Sequence, residues 1–469
     1  MGAEGIDGFF NPSSIAVVGA SREKGKVGHE VLKSLISRKF EGKIYPVNPK
    51  AREVLGLKAY PSITDIDGEV DMAVLIVPPL ITVKVMEECA RKGVKNVVII
   101  SGGFKEAGKA GEKAERRVVE IAREHGIRVI GPNCVGVFCP ETRVDTLFQS
   151  DDRCLRPKRG DMAILSQSGT YALTLLEWMA EHGIGVSKFV SFGNKCDVDE
   201  SDLIEYLGED DKTRVILLYL ESVKNGRKLL STVRKVAPKK PVVIYKSGRS
   251  KEGVKAAKSH TGGLAGEYPV FKAAMKQAGA ILVDSLSEMM DVAKLLAWQP
   301  LPRNNKIIMI TNGAGPAVSA ADMFSEAGIE IGVLKSETKE VLKQKLPKYC
   351  LVNEPVIDLT GSATSTEYRE AIMGVLNEDI GIISVLFVFQ DTPLDEGILD
   401  VMRETIEKAR KIGKTVVSCA AGGPYTRKMV REIEKMRIPC YEEPSRMVMA
   451  LSRVINYSKV RKEIIRWRH

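Results

Sequence analysis

Histidine is rare in this chain, with five in 469 residues, and no C-x-x-C pair occurs among its eight scattered cysteines. The cysteine density is far below that of a disulfide scaffold, so reduced thiols are expected. Cys134 and Cys139, the closest pair, read as loop or core thiols, and no metal site is expected. Aromatic residues make up only 6% of the chain, and Lys and Arg are interleaved with Asp and Glu throughout. No basic and aromatic platform for stacking bases results, which argues against a nucleic-acid partner. No apolar run approaches the roughly twenty residues that a membrane span needs. The first residues, Met1-Gly2-Ala3-Glu4-Gly5-Ile6, lack a basic stretch before an apolar core, and Ile6 stands where a myristoylation signal has Ser or Thr. A cytoplasmic protein without membrane contact is therefore expected. No G-x-x-x-x-G-K-[ST] loop is present, so a P-loop nucleotide site is not encoded.

What is present is a chain with 44% hydrophobic residues, enough to bury sizeable cores in about three domains. A net charge of +10 suits phosphate-bearing cofactors. One pattern recurs three times: a short β-branched run, a Gly/Ser/Asn turn, then an amphipathic helix, the signature of doubly wound α/β domains. The runs are Ile15-Ala16-Val17-Val18, Met162-Ala163-Ile164-Leu165 and Lys306-Ile307-Ile308-Met309-Ile310, with turns at Gly19 to Gly28, Ser166 to Thr170 and Thr311 to Pro316. Each copy opens a domain, and polar or proline-punctuated stretches place the expected boundaries at 1–150, 151–300 and 301–469.

The first domain has the look of a Rossmann-type nucleotide site, although Gly19 to Gly28 is not a G-x-G-x-x-G match. At the end of its second strand, where a nicotinamide site usually carries Asp or Glu, stand Asn48 and Lys50. A cation there suits a ribose that bears an extra phosphate, as in coenzyme A or NADP. Further open turns follow at Val77-Pro78-Pro79, Ser101-Gly102-Gly103-Phe104 and Gly131-Pro132-Asn133-Cys134.

Of the five histidines, His29, His125, His182 and His469 lie in helix-like, turn or terminal contexts, whereas His260 sits in Lys258-Ser259-His260-Thr261-Gly262-Gly263-Leu264-Ala265-Gly266. So many glycines and small polar residues leave the imidazole presented rather than packed, and consecutive N–H groups of such a loop can converge on phosphate oxygens. A neutral imidazole, with a pKa of about 6.5, is a competent nucleophile near neutral pH. Glu221 closes the apolar run Val215-Ile216-Leu217-Leu218-Tyr219-Leu220, a buried strand whose carboxyl end is where ligands of open α/β sheets gather. Its carboxylate is the candidate for fixing the tautomer of His260. Ser166-Gln167-Ser168-Gly169-Thr170 joins a strand to a helix, so its N–H groups and the helix dipole face an approaching anion.

Together, Gly19-Ala20-Ser21, Asn48-Pro49-Lys50, Ser101-Gly102-Gly103, Gly131-Pro132-Asn133, the Ser166 to Thr170 elbow and Ser259-His260-Thr261-Gly262 resemble the α-subunit of the ADP-forming acyl-CoA synthetases, relatives of succinyl-CoA synthetase. The resemblance covers nearly the whole chain. It implies a CoA-binding Rossmann-type domain followed by two flavodoxin-like domains, and the third α/β unit, from Lys306 to about Tyr457, favours the acetyl-CoA type. It further implies that His260 is phosphorylated and Glu221 steadies the phosphohistidine. Gly19, Ser21, Arg22, Lys50, Ser101, Gly102 and Asn133 are then expected to contact CoA, and N–H groups near Ser168, Gly169, Gly262 and Gly263 to bind phosphate. In the implied reaction phosphate attacks an acyl-CoA thioester, His260 takes the phosphoryl group from the acyl phosphate, and ADP with Mg²⁺ accepts it to form ATP. With no ATP-grasp region in the chain, the nucleotide is expected on an ATP-grasp β-subunit within an α₂β₂ heterotetramer. Two other readings stand beside this one: a CoA-binding regulatory protein of the same fold without catalysis, and an NADP-dependent reductase, for which the His260 loop has no purpose.

Overall fold

In this computed structural model, which describes residues 2–255, 267–353 and 356–466, the chain divides into two compact units, Met1–Leu286 and Ser287–His469. The first unit holds two sheets. The first sheet comprises β1 (Ser14–Val18), β2 (Lys43–Val47), β5 (Met72–Leu75), β6 (Asn96–Ile99) and β7 (Arg128–Ile130), with a small hairpin of β3 (Glu53–Val54) and β4 (Leu57–Lys58) beside it. Its strands are all parallel, in the order β2-β1-β5-β6-β7. β1 and β5 are buried at every residue, as parallel strands covered on both faces must be, and Val and Ile suit that environment.

The second sheet contains β8 (Gly136–Cys139), β9 (Val144–Asp145), β10 (Arg159–Ser166), β11 (Val186–Ser191), β12 (Val215–Leu220), β13 (Val242–Lys246) and β14 (Ile281–Val283), in the order β14-β13-β12-β10-β11-β8-β9. β8 and β9 run antiparallel at the β11 edge, so this sheet draws its first strands from before residue 151. The remaining strands repeat the order of the first sheet: second, first, third, fourth, fifth. That order reverses beside the first strand and opens a crevice at the carboxyl ends.

The second unit carries β15 (Lys306–Thr311), β16 (Glu330–Ile331), β17 (Leu351–Asn353), β18 (Val356–Asp358), β19 (Ile382–Phe387), β20 (Thr415–Ala420) and β21 (Cys440–Tyr441). Its path β17-β18-β15-β19-β20-β21 has the same parallel order once the antiparallel β17 is set aside. The helix Leu286–Trp298 bonds into this unit ahead of residue 301: Glu288 pairs with Arg453 at 2.6 Å, Asp291 with Arg446 at 2.8 Å, and Lys294 with Glu434 at 2.8 Å.

The repeated sequence pattern is also a repeated bonding pattern. In β10's exit, the Ser168 N–H donates to Ser166 Oγ at 3.1 Å and that hydroxyl donates to the Ser168 carbonyl at 2.6 Å. In β15's exit, Gly313 and Thr311 do the same at 3.0 and 2.9 Å. Between each pair stands a buried carboxamide, Gln167 in one and Asn312 in the other, reaching across to the exit of the third strand.

Within the first unit one apolar core runs through both sheets, from Ile15 and Val74 to Leu218 and Ile244. Polar ties reinforce it. Arg128 of β7 reaches Asp197 at 3.0 Å and Asp202 at 3.2 Å. Asp145, fully buried, holds Arg156 at 3.0 Å and Arg38 at 3.3 Å. Removing one partner of such a set strands a charge, so Asp145→Ala is expected to cost about 3–5 kcal/mol. Chemical denaturation should show the loss as an earlier transition of the first unit, and an unchanged midpoint would refute it.

Candidate active site

The crevice of the first sheet opens between β1 and β5, where the order reverses. Gly19 leaves β1 at φ +92°, and a Cβ there would lie 2.4 Å from the Ile76 carbonyl oxygen. Gly28, in the first turn of the helix Val27–Ser37, comes so close that a Cβ would sit 2.0 Å from the Gly19 carbonyl oxygen. Glycine at both ends of this longer turn thus does what the spaced glycines of the shorter fingerprint do, bringing the helix N-terminus against the strand. Asn48 Nδ2 donates to the Ala20 carbonyl at 2.7 Å, and its Oδ1 accepts the Lys50 N–H at 2.8 Å. Ser21 is half-buried in this turn, while Arg22 and Lys50 are exposed at the same sheet edge.

Further along that edge, the Ser101 to Phe104 turn is held by one carboxylate. Glu106 Oε1 accepts the N–H groups of Gly103 at 2.7 Å and Phe104 at 3.1 Å, while Oε2 accepts Asn194 Nδ2 at 2.6 Å. Burial raises the Glu106 pKa, but the hydrogen bonds from Asn194 and from backbone N–H groups outweigh it and leave the carboxyl below its ordinary range. The Asn133 N–H donates to the Ser101 carbonyl at 2.9 Å. Backbone then meets backbone: Asn194 and Cys196 N–H groups donate to the Pro132 and Gly131 carbonyls at 2.9 Å each, and a Cβ on Gly193 would lie 2.2 Å from the Asn133 carbonyl oxygen.

This docking brings the first sheet's turns up to the elbow after β10. A cavity of about 480 Å³ is lined on one side by Ser101, Gly102 and Asn133 and on the other by Ser168, Gly169 and Thr170, with Val135, Phe148 and Leu173 as apolar wall. Ser168 caps the helix Gly169–Glu181, so free N–H groups and the positive end of the dipole face the cavity region. Five of the expected residues therefore share one cavity. Gly19, Ser21, Arg22 and Lys50 stand apart from its lining, although Val27 and Ile76 of their crevice belong to it. His260, Gly262 and Gly263 lie outside the described residues.

Glu221 follows β12 at the reversal of the second sheet and is about nine-tenths buried. Gln167 Oε1 accepts the Glu221 N–H at 2.9 Å and the Ser222 N–H at 3.0 Å, while its Nε2 donates to Ser222 Oγ at 2.9 Å. Gln167 also lines the cavity, so one side chain ties the elbow after β10 to the strand end that carries Glu221. Tyr219 OH lies 3.4 Å from Glu221 Oε1.

The chain is similar to known proteins over nearly its whole length. Residues 13–140 match the model of a CoA binding domain, and residues 159–296 that of a succinyl-CoA ligase like flavodoxin domain. Over 461 residues the chain is 40% identical to the acetate–CoA ligase (ADP-forming) I subunit alpha of Pyrococcus furiosus, a match covering 97% of this chain and 98% of the relative. The chain belongs to the ADP-forming acetate–CoA ligase family. Another member, from Archaeoglobus fulgidus, is 40% identical over 97% of this chain, which spans 64% of that longer relative. Among solved structures, the dinucleotide forming acetyl-coenzyme A synthetase 1 of Ca. Korarchaeum cryptofilum, in complex with phosphate and ADP, superposes with a TM-score of 0.90 at 34% identity, over 98% of both chains.

The first sheet lies in the region that matches a CoA binding domain, and several residues that shape its edge escaped sequence reasoning. Glu106 and Asn194 lay in unremarkable loops, and only folding brings them together. Gln167 was visible inside the elbow, and the signal for its role was the amide at the matching place of the third copy, Asn312. Glu106→Ala would leave the Gly103 and Phe104 N–H groups without their acceptor. Affinity for CoA is expected to fall roughly ten-fold, equivalent to about 1.4 kcal/mol. Isothermal titration with CoA measures this, and an unchanged Kd would dismiss Glu106 as the support of that turn.

Proposed function

We propose that this chain is the α-subunit of an ADP-forming acyl-CoA synthetase of the acetyl-CoA type, and that its 480 Å³ cavity is where thioester meets phosphate. The observation that carries the reading is that one cavity joins the turns of the CoA-binding domain to the N-terminus of a capped helix. In the first step a phosphate oxygen attacks the thioester carbonyl carbon, the C–S bond breaks and CoA leaves as the thiol after protonation. N–H groups near Ser168 and Gly169 hold the phosphate oxygens in place for that attack. In the second step His260 attacks the phosphorus of the acyl phosphate, the bond to the acyl oxygen breaks and the free acid is released. Glu221 orients the imidazole, and Gly262 and Gly263 supply further N–H groups. ADP then accepts the phosphoryl group from the histidine to give ATP.

CoA contacts are assigned to Gly19, Ser21, Arg22, Lys50, Ser101, Gly102 and Asn133. Mg²⁺ is assigned to the nucleotide phosphates, whose oxygens are its usual ligands. The nucleotide is assigned to an ATP-grasp β-subunit in an α₂β₂ heterotetramer. The name of the Pyrococcus furiosus relative as an alpha subunit supports a separate partner. Among the described residues no helix is long and apolar enough to cross a membrane, and we assign the reaction to the cytoplasm. Family membership favours this reading over a reductase or a non-catalytic CoA sensor.

Incubation with acetyl-CoA, Mg²⁺ and labelled phosphate is expected to leave acid-labile, base-stable label on the wild-type chain and none on His260→Ala. Glu221→Gln should lower the labelling rate about ten-fold or more while the chain stays folded. Equal labelling of His260→Ala and wild type would overturn the assignment.

A further inference from the structure

The peptide at Glu221 and Ser222 is gripped at all four of its backbone polar groups. Gln167 holds the two N–H groups, as described above. From the other side, Lys246 Nζ donates to the Glu221 carbonyl at 2.7 Å and Lys195 Nζ donates to the Ser222 carbonyl at 2.6 Å. The two ammonium groups differ in their company. Lys195 is paired with Glu200 at 2.7 Å, both side chains being at most 2% exposed. Lys246 is 4% exposed and forms no ion pair among the described residues; its other bond is to the Ser247 carbonyl. A buried ammonium held only by neutral carbonyls is costly, and burying it beside Glu221 serves no packing purpose that Met or Leu would not serve better.

We propose that Lys246 is a positioning residue for phosphoryl transfer, its charged ammonium fixing the Glu221 backbone so that the carboxylate keeps one direction while the histidine it orients changes its charge. The proposal rests on the assignment of Glu221 as the orienting group. Burial together with repulsion from Lys195 and Arg249, set against attraction by Glu221, brings the Lys246 pKa down to about 8. Arg249 is itself engaged by Asp284 at 2.5 Å, and Arg227 and Glu267 are the other charged groups around the cavity of about 610 Å³ that Lys246 lines. A lowered lysine pKa means that the ammonium is charged below pH about 8 and neutral above it. The grip on Glu221 is therefore complete on the acid side and weakens on the alkaline side.

The test is the pH dependence of phosphoenzyme formation by the full chain from acetyl-CoA, Mg²⁺ and labelled phosphate, for wild type, Lys246→Arg and Lys246→Met. Wild type is expected to slow as pH rises through about 8. Lys246→Arg, whose larger head has the adjoining cavity to occupy and stays charged, should label at a similar rate and lose that alkaline decline. Lys246→Met should label at least ten-fold more slowly at pH 7, with no decline of its own. Thermal melting identifies a variant that fails to fold, in which case the arginine variant decides. An arginine variant with the wild-type alkaline decline, or a folded methionine variant that labels like wild type, overturns the proposal. Wild-type chain that takes no label at any pH overturns the phosphohistidine reading, and this proposal with it.

Discussion

Gln167 sits where the second sheet reverses its strand order, and it satisfies the backbone groups that the crevice leaves open there. Beyond the end of β12 the N–H groups of Glu221 and Ser222 have left the ladder, and a buried N–H without an acceptor costs as much as a lost hydrogen bond. One carboxamide oxygen takes both. Because Gln167 also belongs to the elbow that starts the helix Gly169–Glu181, one side chain ties that helix N-terminus to the Glu221 strand end. The second unit solves the same problem with Asn312, whose Oδ1 accepts the Val388 N–H and the Tyr368 hydroxyl at 2.8 Å each. A doubly wound sheet that keeps an open crevice at its reversal leaves backbone groups to be satisfied, and a side-chain amide can do so without filling the space.

Around that hinge the protein places charge with unusual freedom for a buried region. Lys195, Lys224 and Lys246 all have pKa values lowered by burial, and each ends on a backbone carbonyl of the chain around Glu221 or Lys195. Backbone carbonyl oxygens are partners of all three ammonium groups, and Lys195 adds the Glu200 carboxylate. At the edge of the first sheet Glu106 binds backbone N–H groups, so the turns there and the strand ends of the second sheet are braced by charges of opposite sign.

Much of this was legible in the sequence. The three β-branched runs followed by small-residue turns fall on β1, β10 and β15, and the helices after them begin within the last residues of those turns, at Val27, Gly169 and Ala314. That legibility has a local cause: a strand buried on both faces must be apolar throughout, and the turn after it must be small. The start of each sheet was harder to read. β8 and β9 precede the polar stretch taken as a boundary, yet pair with β11, and the helix Leu286–Trp298 bonds into the unit after it. An edge strand is recruited by a partner far along the chain, and no local composition marks that choice.

By itself the sequence determined the α/β class, the repeated strand-turn-helix units, the elbow at Ser168 and Gly169 that opens a helix, and Glu221 at a strand's carboxyl end, because each follows from residues adjacent in the chain. Only the tertiary structure decided that Ser101, Gly102 and Asn133 share a cavity with that elbow, that Glu106 and Asn194 join the two sheets, and that Lys246 and Lys195 end on the carbonyls of Glu221 and Ser222. Those contacts link residues from about 25 to nearly 90 positions apart, and they form because buried hydrogen-bonding groups must find partners wherever the packed sheets bring them.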